Sequence, residues 1–283
     1  LSNKIITMEI DVNSLKSKDL YRLLTSTITP RPIAFVSTKD ENGISNLSPF
    51  SFFNIFSVTP PIVVFSPVNR MSDNTKKDTL KNVIKHKECV IALANKKIVQ
   101  QVSLSSGNYD SNVDEFEKAG FTKVKASVID GNLVKEAPVN FECKVNQIIE
   151  LGKEGGAGNL VVCEILKIHL DENIMDSKNN VDPIKLDIVS RLGLNWYGQT
   201  TENSLFEIAK PIAKLGVGFD KLPKEIINSK IFTGHELAIL ASVDSIPTQK
   251  NKESLTLKTE EKHILAKKLL NQDKVMEAWQ ILI

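Results

Sequence analysis

Between Arg70 and Lys81 the chain gathers four cations, Arg70, Lys76, Lys77 and Lys81, around Asp78-Thr79, where a helix is predicted to begin. The unpaired N–H groups and positive dipole end of a helix start favour an anion, above all a phosphate. Lys77 is the candidate point charge and Thr79 the candidate hydroxyl. Asp78 would repel a phosphate, so its expected part is to cap the helix or orient Lys77. Just upstream, residues 42–69 hold no charged side chain. That stretch suits a planar, neutral ring with polar edges. Strand N–H and C=O groups would meet the edges, with the hydroxyls of Ser48 and Ser51, and Phe50 or Phe52 would offer a flat apolar face. Each feature has a plainer reading as well. Alternating Phe residues build barrel cores, Lys/Arg clusters form solvated faces, serines satisfy turns, and Pro60-Pro61 terminates strands.

These residues need elements to position them, and strands dominate the first two hundred positions. A short helix is expected over Asp19 to Ser26, then a strand over Ile33 to Thr38 entered through Thr29-Pro30-Arg31-Pro32. Asp40-Glu41-Asn42-Gly43 reads as a hairpin turn. Further strands are expected over Ile44 to Asn54, Ile62 to Ser66 and Glu88 to Ala94, with a helix over Thr79 to Lys85. Val139 to Leu151 and Leu160 to Leu170 form another pair, joined by the glycine-rich connection 152–158. Many antiparallel strands with few helices mean a barrel or sandwich. After about Ser204 the periodicity turns helical, over Glu225 to Asn228, Glu236 to Ala241 and Glu260 to Ile283. The last of these offers Ile264, Leu265, Leu269, Leu270, Val275, Met276 and Trp279 as an apolar face. Ser242 to Ser254 reads as a polar hinge. The division expected is a barrel over 8–203 and a helical extension over 204–283, with Met8 a possible start.

At 283 residues the chain can bury a sizeable core without staples. Its 36 basic and 34 acidic residues leave a formal charge of +2, which gives no bulk field for nucleic acid or an anionic membrane. Prolines 49, 60, 61 and 67 break the uncharged stretch, so it is not a membrane span. Cys89, Cys143 and Cys163 lie far apart with no C-x-x-C pair, against a disulfide framework or a zinc site, and Cys163 reads as inert core. A cytoplasmic setting fits. Phosphate-loop, zinc-protease and nucleophile-elbow motifs are absent, and no G-x-G-x-x-G supports a Rossmann site. His86, His235 and His263 have no ligand spacing, and His169 reads as an ordinary half-exposed strand residue.

Four blocks, Arg31 to Thr38, Asn46 to Asn54, Pro60-Pro61 and Lys77 to Asn82, resemble the flavin reductase-like family in wording, order and spacing. The resemblance spans roughly residues 8 to 200. Leu222-Pro223 through Asn228-Ser229, with Thr233-Gly234, is similar to an extension in one branch of that family. It implies a mainly β, antiparallel split β-barrel with short peripheral helices and a helical C-terminal tail. FMN, rather than FAD, is the implied cofactor, in a homodimer. The cofactor-binding residues it implies are Arg31, Ser48, Pro49, Phe50, Ser51, Phe52, Asn54, Ser66, Arg70, Lys77, Asp78 and Thr79. Arg191-Leu192-Gly193 and Trp196-Tyr197 resemble a late family segment near the flavin or the dimer face.

One departure bears on activity. Many two-component flavin reductases carry a Gly-Asp-His segment entering the strand equivalent to Leu160 to Ile168, and its histidine is associated with nicotinamide use. Here the run is Gly158-Asn159-Leu160. Two expectations therefore stand. One is an FMN-dependent NAD(P)H:flavin oxidoreductase, feeding a monooxygenase or redox-protein partner. The other is a flavin-binding electron-transfer protein without efficient NAD(P)H turnover.

Overall fold

The computed structural model describes residues 8–208, 215–248 and 257–283. The N-terminal segment before Met8 and part of the expected Ser242–Ser254 hinge lie outside them. In chain order the elements begin with α1 (Ser17–Thr27), β1 (Ala34–Lys39), β2 (Ser45–Phe50), β3 (Phe53–Val58) and β4 (Pro61–Phe65). Next are α2 (Asp78–His86), β5 (Glu88–Leu93), α3 (Val99–Leu104), α4 (Glu115–Ala119), and the short pair β6 (Lys123–Lys125) and β7 (Asn132–Val134). The long strands β8 (Val139–Glu150) and β9 (Asn159–Leu170) precede α5 (Pro183–Leu186), β10 (Val189–Arg191) and β11 (Tyr197–Gln199). The chain ends with α6 (Lys224–Ile227), α7 (Gly234–Ala241), α8 (Thr259–Leu270) and α9 (Val275–Leu282). It divides into two compact units, Leu1–Leu205 and Phe206–Ile283.

Seven strands form one antiparallel sheet in the order β2-β1-β5-β8-β9-β4-β3. Residues 44–54, read from sequence as one strand, divide at Ser51-Phe52 into β2 and β3. These are the two opposite edges of the sheet, and two residues of chain join them. A span that short forces the edges close together there, so the sheet must curl. Alternating side chains of β1, β4, β5, β8 and β9 fill its interior, among them Val36, Phe65, Ile91, Cys143 and Val161. The hairpin turn after β1 is held by the Asp40 carboxylate, which accepts from the N–H groups of Asn42 and Ile44 at 2.9 and 2.7 Å. Gly43 adopts φ 79°, the left-handed turn conformation that glycine tolerates.

The three cysteines, remote in sequence, meet in this core. Cys89 stands opposite Cys143 in register, and its Sγ lies 3.9 Å from that of Cys163. All are free, and no metal-binding group occurs among the described residues. Hydrogen bonding with Cys89 and burial push the Cys143 and Cys163 thiols up, which keeps them protonated.

The helix expected over Glu260 to Ile283 is two helices, α8 and α9, broken where Asp273 takes φ 59°. The break rotates the apolar face. Leu270 and Trp279 are buried with Ala266, whereas Ile264, Leu265 and Met276 are exposed. Trp279 closes the core of the second unit, donating from Nε1 to the Leu240 carbonyl at 3.1 Å. Among the described residues no helix is long and apolar enough to cross a membrane.

Candidate functional site

The site is assembled on β2 and the start of α2, and a buried polar network locks the two together. Glu115, at the first turn of α4, is 6% exposed, and its carboxylate accepts from Leu47 N–H at 3.0 Å and Asn46 Nδ2 at 3.1 Å. Asn46 Oδ1 in turn accepts from the Thr79 hydroxyl at 2.6 Å. Asn82 of α2 donates to Thr38 of β1 at 3.0 Å. Burial raises the pKa of Glu115 against the hydrogen bonds that favour its charged form. The candidate Thr79 hydroxyl is thus 1% exposed and spent on Asn46. The helix turns that side chain inward, away from the expected place as a phosphate donor.

Asp78 departs from its expected part as well. Lys77, not Asp78, stands at the N-cap, and no side chain caps α2. The Asp78 carboxylate pairs with Lys81 at 2.8 Å and Arg70 at 3.8 Å, leaving Lys77 aside. Arg70 also donates to the Lys76 carbonyl at 3.0 Å and to the Thr75 hydroxyl at 3.2 Å. Lys76 pairs with Glu150 at 2.6 Å on the surface. Among the described residues the side chain of Lys77, alone of these four cations, has neither ion pair nor hydrogen bond. Its ammonium sits half-buried, 5.5 Å from the centre of the Phe50 ring. Burial, and then the charge of Arg70, lower its pKa from the ordinary lysine value.

The residues expected around the ring fall into three groups. Phe50 is 6% exposed and packs on Phe65 at 5.4 Å, so it belongs to the core and cannot offer a stacking face. Ser48 and Pro49 are half-exposed on edge strand β2, and the Ser48 hydroxyl makes no protein hydrogen bond among the described residues. Ser51, Phe52, Asn54 and Ser66, with Arg31, line an apolar groove of about 430 Å³ that also takes in Pro30, Val64 and Leu160. Phe52 is the half-exposed aromatic there, 6.3 Å from Tyr21. Pro49 and Ser51 also line a second, more polar cavity of about 470 Å³. The Asn54 side chain turns back on its own strand, accepting from Ile55 N–H at 2.8 Å.

Arg31 is 7% exposed and fully engaged. Its guanidinium donates to the carbonyls of Thr25, Ile28 and Leu192, and more weakly to the Ser51 hydroxyl at 3.4 Å. It therefore ties the end of α1 to the loop after β10 and supports Ser51 from below. A direct ligand contact for its side chain is not what this geometry provides.

Asn159 takes an unforeseen place. It is 1% exposed, and its amide donates to the Pro67 carbonyl at 3.0 Å and Asn69 Oδ1 at 3.1 Å. With Asn69 N–H on the Ala157 carbonyl and Gly156 N–H on that of Asn69, it fastens the loop that leads from Ser66 to Arg70. Gly155 permits the close fit, since a Cβ there would lie 3.1 Å from the Arg70 carbonyl oxygen. His169 faces away from this region in hydrogen-bonding terms, holding Glu142 at 2.6 Å. Sequence reasoning missed Glu115, Asn46 and the bracing role of Asn159. The partners of each lie tens of residues away, and no local spacing announces them.

The donor set suits a flavin, a planar ring that carries a phosphate, on two observations. An uncapped helix start carries a half-buried cation with no counter-charge, and a neutral strand run lies directly beside it. Comparison with known proteins points the same way. Residues 26–196 match the model of the flavin reductase-like domain, and the chain belongs to that family. An Aquifex aeolicus protein of unassigned function is 35% identical over 190 residues, 67% of this chain and 94% of its own length. The crystal structure of nitrilotriacetate monooxygenase component B from Bacillus cereus superposes with a TM-score of 0.67 at 30% identity, covering 71% of this chain and 98% of that one. A flavin reductase with a split-barrel domain from Shewanella frigidimarina superposes at 0.61, with 23% identity, over 72% and 100%. The curled seven-stranded sheet is accordingly a split barrel.

Proposed function

We propose that this protein binds FMN and acts as an NAD(P)H-dependent flavin oxidoreductase. The observation that carries the reading is the uncompensated ammonium of Lys77 at the open end of α2. Lys77 and Arg70 would hold the phosphate together with the first N–H groups of the helix. Ser48 to Phe52 would line the ring, with backbone groups of edge strand β2 free to meet its polar edge. When bound, the flavin supplies two-electron chemistry, accepting hydride at its ring. The chain's own contribution is to neutralise the phosphate, exclude water from one ring face with Phe52, and hold β2 rigid through Glu115 and Asn46.

Edge strand β3 exposes Ile55, Phe56 and Val58, at 61%, 68% and 78%. A second copy covering this edge would make the homodimer and close the groove beside Phe52. The likeness to a monooxygenase component B supports a monooxygenase as recipient of the reduced flavin.

The test is an anaerobic titration of the full-length protein with FMN and with riboflavin, followed by NADH or NADPH. Lys77→Ala is expected to weaken FMN by about 1–3 kcal/mol and riboflavin far less, the loss of one charge-assisted hydrogen bond. Equal losses would remove Lys77 from the phosphate site. Addition of a nicotinamide is expected to bleach the oxidised flavin band slowly. If dithionite bleaches it and neither nicotinamide does over many minutes, the electron-transfer reading replaces the enzyme. The engagement of Asn159 with the 67–69 loop favours that second reading, because its side chain is not free to meet a nicotinamide.

A further inference from the structure

The cavity of about 470 Å³ on the α3 side of Pro49 and Ser51 is not needed for the phosphate or for the groove beside Phe52. Its wall carries Arg191 from β10 and Tyr197 from β11, which face each other because the two strands pair directly, Arg191 opposite Tyr197. The guanidinium stacks 4.5 Å from the centre of the Tyr197 ring, and among the described residues its one hydrogen bond goes to the Leu194 carbonyl at 2.6 Å. Among the described residues no acidic side chain lines the cavity. The Arg191 guanidinium therefore faces the cavity with no carboxylate partner among the described residues.

The remaining lining shows what else the occupant must be. The hydroxyls of Tyr21, Tyr197 and Ser103 and the Asn195 amide make no hydrogen bond within the described residues, so donors and acceptors stand free at its rim. Ile33, Pro49 and Val102 supply an apolar floor, and two tyrosine rings flank it. A guanidinium fork recognises a planar carboxylate bidentately, and stacking on Tyr197 already fixes the orientation of its plane. We infer that this cavity binds a small planar aromatic carboxylate beside the flavin run. The inference rests on the flavin reading for its neighbour, but its own contacts are independent of the phosphate cradle.

The probe is benzoate, titrated calorimetrically into the full-length protein with and without saturating FMN, against benzamide as neutral isostere and acetate as anion without a ring. Benzoate is expected to bind at least 10-fold tighter than either. Arg191→Met, which keeps an apolar stem over Tyr197, should weaken benzoate at least 10-fold in the flavin-free protein and leave benzamide within 2-fold. Ser103 is exposed on α3, so Ser103→Glu should fold normally, and its charge at the mouth should weaken benzoate while sparing benzamide. Equal binding of benzoate and benzamide, or benzoate binding untouched by both variants, overturns the proposal. So does absence of benzoate binding in a protein that takes up FMN, and that result leaves the flavin reading standing. Failure of FMN to bind while benzoate still binds through Arg191 would sink the flavin reading alone.

Discussion

At the scale of single residues, chemistry and packing compete for the same side chains. Lys77 stands out as a candidate in the sequence because charge density beside a helix start is a local property. The inward turn of Thr79 and Phe50 does not show there, because orientation is not. Both sit in the same two blocks as the exposed candidates, but each points inward, one to Asn46 and the other to Phe65. The difference can be measured. Thr79→Val removes a buried donor to Asn46, so it should lower global stability by about 1–2 kcal/mol in urea unfolding. It should weaken FMN and riboflavin to the same extent, unlike Lys77→Ala. A selective loss of FMN would return the Thr79 hydroxyl to the phosphate.

At the scale of elements, sequence periodicity located nearly every long strand and both helices flanking the site, α1 and α2. It failed where one stretch of continuous predicted structure serves two elements. Ser51-Phe52 and Asn271-Gln272-Asp273 break such runs without a glycine or proline at the break, and only tertiary pairing decides them. The loop 126–131 could not be read at all, because its organiser is a side chain on β8. Glu142 is fully buried, and burial pushes its carboxyl up. The N–H groups of Ser127 and Val128, the Ser127 hydroxyl and His169 outweigh that and hold it at about 2. A carboxyl held below its unfolded value stabilises the fold above the unfolded pKa, near 4.3, and that contribution drains away as pH falls toward about 2. Glu142→Gln should therefore be clearly less stable than the parent at pH 7, with the gap narrowing between pH 4.5 and 2. Thermal melts across that range would show it, and a gap independent of pH would assign the loss to packing instead.

At the scale of the whole molecule, the matched family domain and the 190 residues shared with the Aquifex aeolicus protein leave about a third of the chain without a counterpart in that relative. The helical unit has its own interior, in which Leu222, Ile226, Leu237 and Leu240 are covered by Ala266, Leu270 and Trp279. A cut inside it, removing α8 and α9, would bare that interior and invite aggregation. A cut after Leu205 follows the division between the compact units. We expect the shortened chain to stay folded and to bind FMN within about 2-fold of full length, as read by fluorescence titration. A folded but flavin-blind product would make the helical unit part of the site.

The unpartnered ammonium at the head of α2 has one more effect, and it is thermodynamic rather than catalytic. The Lys77 charge feels that of Arg70 and has no carboxylate of its own, since Asp78 pairs with Arg70 and Lys81, so some repulsion is stored in the native state and the unfolded chain is free of it. Any anion that settles between Lys77 and Arg70 releases that repulsion and, by mass action, draws the folding equilibrium toward the native side by RT ln(1 + [L]/Kd). Inorganic phosphate should raise the melting temperature of the flavin-free protein, and chloride at equal ionic strength should do so far less. The same phosphate must then be displaced before FMN can enter. Its apparent dissociation constant will climb with the buffer's phosphate content, and riboflavin's will not.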